Sequence, residues 1–340
     1  MTQGSGSGKS RPSIYDVAQV AGVSHMTVSR VINGYPHIKD GTRQRVLHAM
    51  IEIGYLPRGA SRQLESEDRL RIGVIVDGAE QYGPRSTLQA IERAARDLGH
   101  VMTAYSVPGF RSGAVDLGLA ELRDHAVDAL CLVAPRFSSL GAVAKGPLWV
   151  PAVVVGDDDS QSAITTVAVD QAKGARTAVD HLVALGHRSI LHLAGPLNWV
   201  DALARERAWR QTMDGHGLRP NLLIGDWTSD VGFTVGAEHP LIEEVTAVFA
   251  SNDQMALGLL HGVKSRGLRV PDDISIVGYD DSPEARHFAP PLTSVNQNFD
   301  RLGHEIIRVV HGLIEGRPTP DRVRVDAELI MRQSVAPVGG

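Results

Sequence analysis

The sequence predicts an α/β protein in which two doubly wound lobes follow a small bundle of three helices. Three observations predict it. The chain has 340 residues, 43% hydrophobic and 21% charged, which is enough for two or three units that each bury a core. From Leu70 onward, short apolar runs alternate with amphipathic helical stretches, the rhythm of parallel α/β units. Before that point the periodicity is helical only, in three short segments.

Residues 1–12 are mostly Gly, Ser and polar residues and read as a flexible tail. Gly8-Lys9-Ser10 ends like a phosphate-binding loop, but Gln3 stands where its first glycine belongs and no strand precedes it, so that reading fails. Ser13, with Asp16 three residues on, caps a first helix from Ile14 to Ala21, with Val17, Val20 and Ala21 on its apolar side and Gly22 as its stop. Ser24 caps a second helix through about Asn33, turning Val28, Val31 and Ile32 inward before Gly34 and Pro36 break the chain. A third runs from about Gly41 to Ile53, with Val46, Ala49, Met50 and Ile53 at three- and four-residue spacing. After Pro57, the stretch from Arg58 to Leu64 is compatible with a helix, yet it spans about two turns and contains Gly59, so it is marginal alone in water.

Strands are expected at Arg71 to Asp77, Val101 to Ser106, Ala129 to Ala134, Ala152 to Val155, Ile190 to Ala194, Ala247 to Ala250 and Ile274 to Val277. Helices are expected between them, among others at Thr87 to Leu98, Gly174 to Leu185, Ala202 to His216 and Asp253 to Ser265. So long a body exceeds one typical layer pair. Two doubly wound lobes enclosing a cleft are the natural solution, and ligands in such folds sit outside the carboxyl ends of strands.

The net charge of -5 hides an asymmetry. Residues 1–64 hold eight Lys/Arg against three Asp/Glu, a balance of +5, which leaves -10 for the rest. A basic front joined to an acidic body is the layout of a module that meets phosphate attached to one that does not. Cys131 is the lone cysteine and lies in an apolar run, so a disulfide within the chain and a structural zinc site built from thiolates are excluded. No apolar run reaches the roughly 18 residues a bilayer span needs, and the amino terminus lacks the apolar core of a signal peptide. The expected location is the cytoplasm, on the nucleoid. His181, His187 and His192 spread over a helix, a turn and a strand, so no metal is expected there, and no cofactor elsewhere.

The text of the front segment resembles the DNA-binding headpiece of the lactose-repressor (LacI/GalR) family of bacterial transcription regulators. The resemblance rests on Ile14-Tyr15-Asp16-Val17-Ala18, Ala21-Gly22-Val23-Ser24, Thr27 through Gly34, Thr42-Arg43, Gly54-Tyr55-Leu56-Pro57 and Leu64. It implies a helix-turn-helix domain over 13–56, a hinge over 57–69, and an effector-binding and dimerisation body over 70–340. That body is similar to two-lobed periplasmic-binding-protein-like sensors, with one lobe over about 70–168 and 298–322 and the other over about 169–297 and 323–340. Leu185-Gly186-His187, Gly195-Pro196, Arg205 with Trp209, Gly225-Asp226-Trp227, Ser251-Asn252-Asp253, Val277 through Asp281 and Pro291 through Val295 carry that part of the likeness.

By this resemblance His25 and Met26 read base edges from the recognition helix, supported by Arg30. Tyr15, Ser24, Thr27, Ser29, Asn33, Thr42 and Tyr55 bind phosphates, with charge from Lys39 and Arg43, and so fix register without reading sequence. Leu64 wedges into the minor groove. The family's hinge text is altered here at Arg58, Gly59 and Ser61. In the body, Arg205, Asn252 and Asp280 are implied polar effector contacts, and Trp227 and Phe299 aromatic walls. Trp199 and Asp201 form a lip suited to a pyranose ring or an oligosaccharide, and Asp157 and Tyr82 complete the set. Asp253 is read as a helix cap or a ligand contact, Asp281 as a loop or lobe-bridging residue, and His187 as a structural residue entering a strand.

The implied protein is a homodimeric repressor that binds palindromic operator DNA and is released by a small-molecule effector, a carbohydrate. A corepressor-activated, purine-type regulator is the alternative. A sugar-binding protein without a regulatory role explains the body but not residues 13–64. For an enzyme, Asp280-Asp281 and the histidines are the only raw material, and no nucleophile elbow, metalloprotease motif or complete phosphate loop occurs.

Overall fold

The computed structural model describes residues 13–32, 35, 38–53, 69–107, 114–134, 136–143, 148–156 and 164–339, which form two units, 1–69 and 70–340. The tail, Asn33, Tyr55, Asp157, Leu64 and the rest of the expected hinge up to 68 lie outside the described residues.

In the first unit, α1 is Ile14–Ala21, α2 His25–Ile32 and α3 Asp40–Ile53. Ser13 and Asp16 form a reciprocal capping box at the start of α1, and Gly22 ends it in the left-handed region at φ 64°. Ser24 stands just before α2, and its hydroxyl accepts the Thr27 amide at 3.2 Å. Val17, Ala18, Ala21, Val28, Val31, Val46 and Ala49 make one small core. Val20, expected on the apolar side, is 46% exposed. The helical wheel places it beside Val17, but among the described residues the core gathers on the side of Val17, Ala18 and Ala21.

The second unit contains two six-stranded sheets. The first comprises β1 (Arg71–Asp77), β2 (Val101–Val107), β3 (Ala129–Val133), β4 (Ala152–Val155), β5 (Thr165–Val169) and β11 (Arg322–Val325), in the order β11-β5-β4-β3-β1-β2. The second comprises β6 (Ile190–Ala194), β7 (Asn221–Ile224), β8 (Ala247–Ala250), β9 (Ser275–Asp280), β10 (Thr293–Asn296) and β12 (Glu328–Ile330), in the order β12-β10-β9-β8-β6-β7. All pairings are parallel except β10 with β12. Strands β3, β6, β8 and β9 are buried throughout, as sheets covered on both faces require, whereas edge strands β2 and β7 carry exposed positions.

Helices α4 (Tyr82–Asp97), α5 (Ala114–Asp124), α6 (Phe137–Val143) and α11 (Phe299–Ile314) belong with the first sheet. Helices α7 (Gln171–Ala184), α8 (Val200–Gly215), α9 (Ser229–Glu238) and α10 (Asp253–Ser265) belong with the second. The chain therefore crosses between lobes three times, after β5, after β10 and after β11. The last crossing falls after Val325 and not at 322, because Val323 and Val325 pair with Val167 and Val169 and extend the first sheet. Arg322 and Arg324 mask this strand in the sequence, and a sheet edge tolerates them. Strands β5, β7, β10 and β12 also escaped the periodicity, being three to five residues long.

Two local departures matter for the cleft. Helix α4 begins at Tyr82, five residues before the expected Thr87, because Pro84 falls in the first turn, where a missing N–H costs nothing. Tyr82 thus opens a helix and is not in a loop. Strand β9 runs to Asp280, past Gly278, which reads as a breaker. A Cβ there would lie 2.3 Å from the Asp253 carboxylate, so the glycine serves close approach.

Cys131 is fully buried in β3, and burial pushes its thiol up to about 12. His187 Nε2 donates to the Ala336 carbonyl at 3.0 Å, and its Nδ1 pairs with the Thr246 hydroxyl at 2.9 Å. His192 Nδ1 donates to the Phe249 carbonyl, and burial lowers its pKa to about 3. Among the described residues no helix is long and apolar enough to cross a membrane.

Candidate nucleic-acid face and ligand cleft

On α2, Val28 and Val31 anchor the helix in the core, so the helical period turns His25, Met26 and Arg30 to solvent. Met26 is 58% exposed and Tyr15 66%. The Tyr15 and His25 rings lie 5.2 Å apart, which brings the first turns of α1 and α2 together. Ser24 and Thr27 hydroxyls are 2.9 Å apart beside them, and Ser29 is half-buried one turn on. Lys39 precedes α3, exposed, and Thr42 is half-buried in its first turn. Helix amino termini leave backbone N–H groups without intrahelical partners and carry partial positive charge, so this face is suited to phosphate.

In the second unit, the carboxyl ends of the strands surround one cleft of about 690 Å³, measured out to open solvent. Tyr82, Trp199, Asp201, Arg205, Trp227, Asn252, Asp280 and Phe299 all line it. Of the expected set, Asp157 alone lies outside the described residues; its neighbour Gly156 is in the wall. Tyr82 and Phe299 meet edge-on at 6.0 Å, and Trp199 and Trp227 at 5.5 Å. Burial pushes the Tyr82 hydroxyl up to about 12, which keeps it a neutral donor.

Asp201 and Arg205 are four residues apart on α8 and share a face. Arg205 is 4% exposed; its Nε donates to Gln171 Oε1 at 2.9 Å, its Nη1 to the Ser251 carbonyl at 2.5 Å, and its guanidinium lies 3.7 Å from the Tyr279 ring centre. Gln171 Nε2 donates to Gln297 Oε1 at 2.9 Å, and Gln297 Nε2 to Asp280 Oδ1 at 2.5 Å. Arg205, Gln171, Gln297 and Asp280 therefore form one continuous buried relay. Gln171 opens α7 just past one lobe crossing, and Gln297 lies in another.

Burial raises the Asp280 carboxyl to about 8, with Arg205 acting against that rise. Asp280 and Trp227 also hold φ values of 107° and 74°, a backbone region that costs a side-chain-bearing residue about 1–3 kcal/mol. Strain of this kind collects where side chains are aimed for function.

Asn252 lines the cleft but is committed locally: its Oδ1 accepts the Met255 amide as cap of α10, and its Nδ2 donates to the Trp227 carbonyl at 3.0 Å. Asp253 is no cap. It accepts the Ser282 amide at 2.7 Å and the Ser294 hydroxyl at 2.6 Å, and burial raises it to about 7. Asp281 pairs with Arg332 at 2.6 Å and accepts from Asn296, both in its own lobe, so it clamps a loop and bridges no lobes. Gln171 and Gln297 were not expected from sequence, since uncharged residues at strand-to-helix junctions carry no pattern.

The chain matches the family profile described as bacterial regulatory proteins, lacI family, over residues 13–58, and that of the periplasmic binding protein-like domain over residues 179–335. It is 34% identical to the lactose operon repressor of Escherichia coli K12, over 94% of this chain and 90% of that protein. The crystal structure of the lac repressor dimer bound to operator and the anti-inducer ONPF superposes with a TM-score of 0.77, at 33% identity, covering 96% of this chain and all of that one. The complex of the transcriptional regulator CelR with cellobiose does so at 0.70 and 30% identity, covering 95% and 100%. The chain belongs to the lacI family of bacterial regulatory proteins.

Proposed function

We propose that this protein is a homodimeric transcriptional repressor that binds a palindromic operator and is released when a carbohydrate occupies the cleft. The observation that carries the reading is the cleft itself. Two aromatic pairs, Tyr82 with Phe299 and Trp199 with Trp227, face the buried relay from Arg205 to Asp280. Flat apolar walls suit the face of a sugar ring, and fixed donors and acceptors suit its hydroxyls. Asp201, Asn252 and Asp157 complete the contacts in this reading.

On the front unit, His25 and Met26 read bases with Arg30, while Tyr15, Ser24, Thr27, Ser29, Asn33, Lys39, Thr42 and Tyr55 hold phosphates, and Leu64 is the minor-groove wedge. The protein acts on chromosomal DNA in the cytoplasm. Because the effector must favour one state over the other, the coupling is reciprocal, and operator DNA weakens the binding of an inducer.

A thermal-shift screen of mono- and oligosaccharides, including cellobiose and lactose, identifies the ligand, since binding raises the melting temperature by mass action. Hits are retested for release of operator DNA. Release supports induction. Tighter operator binding, or a shift with purine bases alone, replaces this reading with a corepressor mechanism, and indifference to all duplex DNA at low salt overturns it.

A further inference from the structure

One polar cluster in the second unit takes no part in the relay. Asp77, at the end of β1, is 3% exposed and accepts from Arg136 Nη1 and the Ser139 hydroxyl. Arg136 is itself 4% exposed, and its Nη2 lies 3.4 Å from Glu80. All four residues belong to the first lobe. Covering them is a residue of the second lobe: the Trp199 ring centre lies 4.6 Å from the Arg136 guanidinium carbon.

Two further contacts fix the same seam. Arg136 and Trp199 form an isolated antiparallel backbone bridge, one bond of which is the Phe137 amide donating to the Asn198 carbonyl at 3.4 Å. Gly78, at φ 76°, leaves the indole room: a Cβ there would stand 2.7 Å from Trp199 Cη2. Trp199 is 5% exposed: it lines the cleft, and contacts with Arg136 and Gly78 of the first lobe cover much of its ring. It is also the residue that immediately precedes α8, the helix bearing Asp201 and Arg205.

We propose that Arg136 is a positioning residue which, fixed by Asp77 and Ser139 in the first lobe, seats Trp199 of the second lobe and latches the cleft closed at the amino terminus of α8. A cation held against an indole face out of water is attracted to the ring, and the geometry disappears when the lobes part. The latch acts through Trp199 on the placement of Asp201 and Arg205, and it does not depend on which ligand the cleft takes.

Hydrogen–deuterium exchange on the full-length, ligand-free protein tests this. The double variant Asp77→Asn/Arg136→Met removes both charges and strands neither. Amides at 78–84 and 197–203 are expected to exchange about tenfold faster in it, while those of β8 and β9 keep wild-type rates, as local opening of the seam requires. Trp199→Ser is expected to do the same, and Trp199→Phe, which keeps an aromatic face, to stay within about twofold of wild type. Unchanged exchange at the seam in the double variant overturns the proposal, and so does faster exchange in every strand together, which assigns the pair to general core support. Equal loss in the Phe and Ser variants overturns it as well, because packing volume and not the aromatic face would then hold the seam.

Discussion

The two units place their polar side chains in opposite ways. Among the described residues of the first unit, the buried set is apolar throughout, and the residues suited to DNA stand exposed or half-buried on or beside short helices. The second unit buries Arg205, Gln171, Gln297, Asp280, Asp253 and His192 around or behind its cleft. Phosphate is a charged, extended partner that long-range attraction brings in, so exposed groups suffice. A small neutral ligand offers only hydrogen bonds and ring faces, so its donors and acceptors must be desolvated and held in advance.

The largest expected effect tests the buried side. Arg205→Ala breaks the relay and takes their donor from Gln171 Oε1 and the Ser251 carbonyl; loss of ligand affinity of about 2–5 kcal/mol is expected by calorimetry with the identified sugar. Operator binding measured by mobility shift stays intact. If both fall, Arg205 supports the fold and the contrast between units weakens.

The next effect is a pH dependence. Asp280 rises from 3.8 to about 8 in the folded protein, so the unfolded chain ionises first. The neutral carboxyl's contribution is fully present below about pH 4 and is lost as pH rises toward 8, with each pKa unit worth about 1.4 kcal/mol. Asp280→Asn, which cannot ionise, is expected to gain in melting temperature relative to wild type between pH 4 and pH 8. A constant difference across that range would show that the carboxyl is charged in the fold. His192 bends the curve the other way in both proteins. Its lowered pKa gives stability present above about pH 6.5 and lost below it, so the comparison must be made between variants and not on one curve.

On the exposed side the effects are smaller. His25→Ala is expected to cost about 1–3 kcal/mol on the operator and much less on unrelated duplex, because base contacts carry sequence preference. Lys39→Ala is expected to weaken both equally and to reduce the salt slope of binding by about one. A large loss of specificity from Lys39→Ala would place that residue on a base. Smallest is Ser13→Ala, which removes the capping box of α1 for about 1 kcal/mol. It lowers the melting temperature of the first unit and leaves that of the second unchanged, provided the two melt separately by calorimetry.

Much of this was legible in the chain. The bounds of α1, β1, β4, β6, β8 and α10 follow from periodicity and end signals alone, because caps, glycines and apolar runs act within a few residues of where they stand. Eight residues marked for the cleft line a single cavity, since each lies at the end of a strand or in the turn or helix that follows it, and a parallel sheet gathers such ends on one side. Strands β5, β7, β10, β11 and β12 were not legible, although the edge strand β2 was. Their pairing partners lie more than a hundred residues away in the case of β11, and short charged segments become strands only when such a partner offers its backbone.

The sequence by itself determined the two-part plan, the basic front, the three-helix core and the alternation that builds both sheets, because these depend on local spacing and composition. Only the tertiary structure decided how polar groups are shared. It ended β9 at a strained Asp280, tied Asn252 to the Trp227 carbonyl and Asp253 to Ser282 and Ser294, joined Gln171 to Gln297 between two lobe crossings, and set Trp199 on Arg136. Each of these is a contact between segments far apart in the chain, where burial makes a hydrogen bond obligatory and only the folded arrangement can say which partner supplies it.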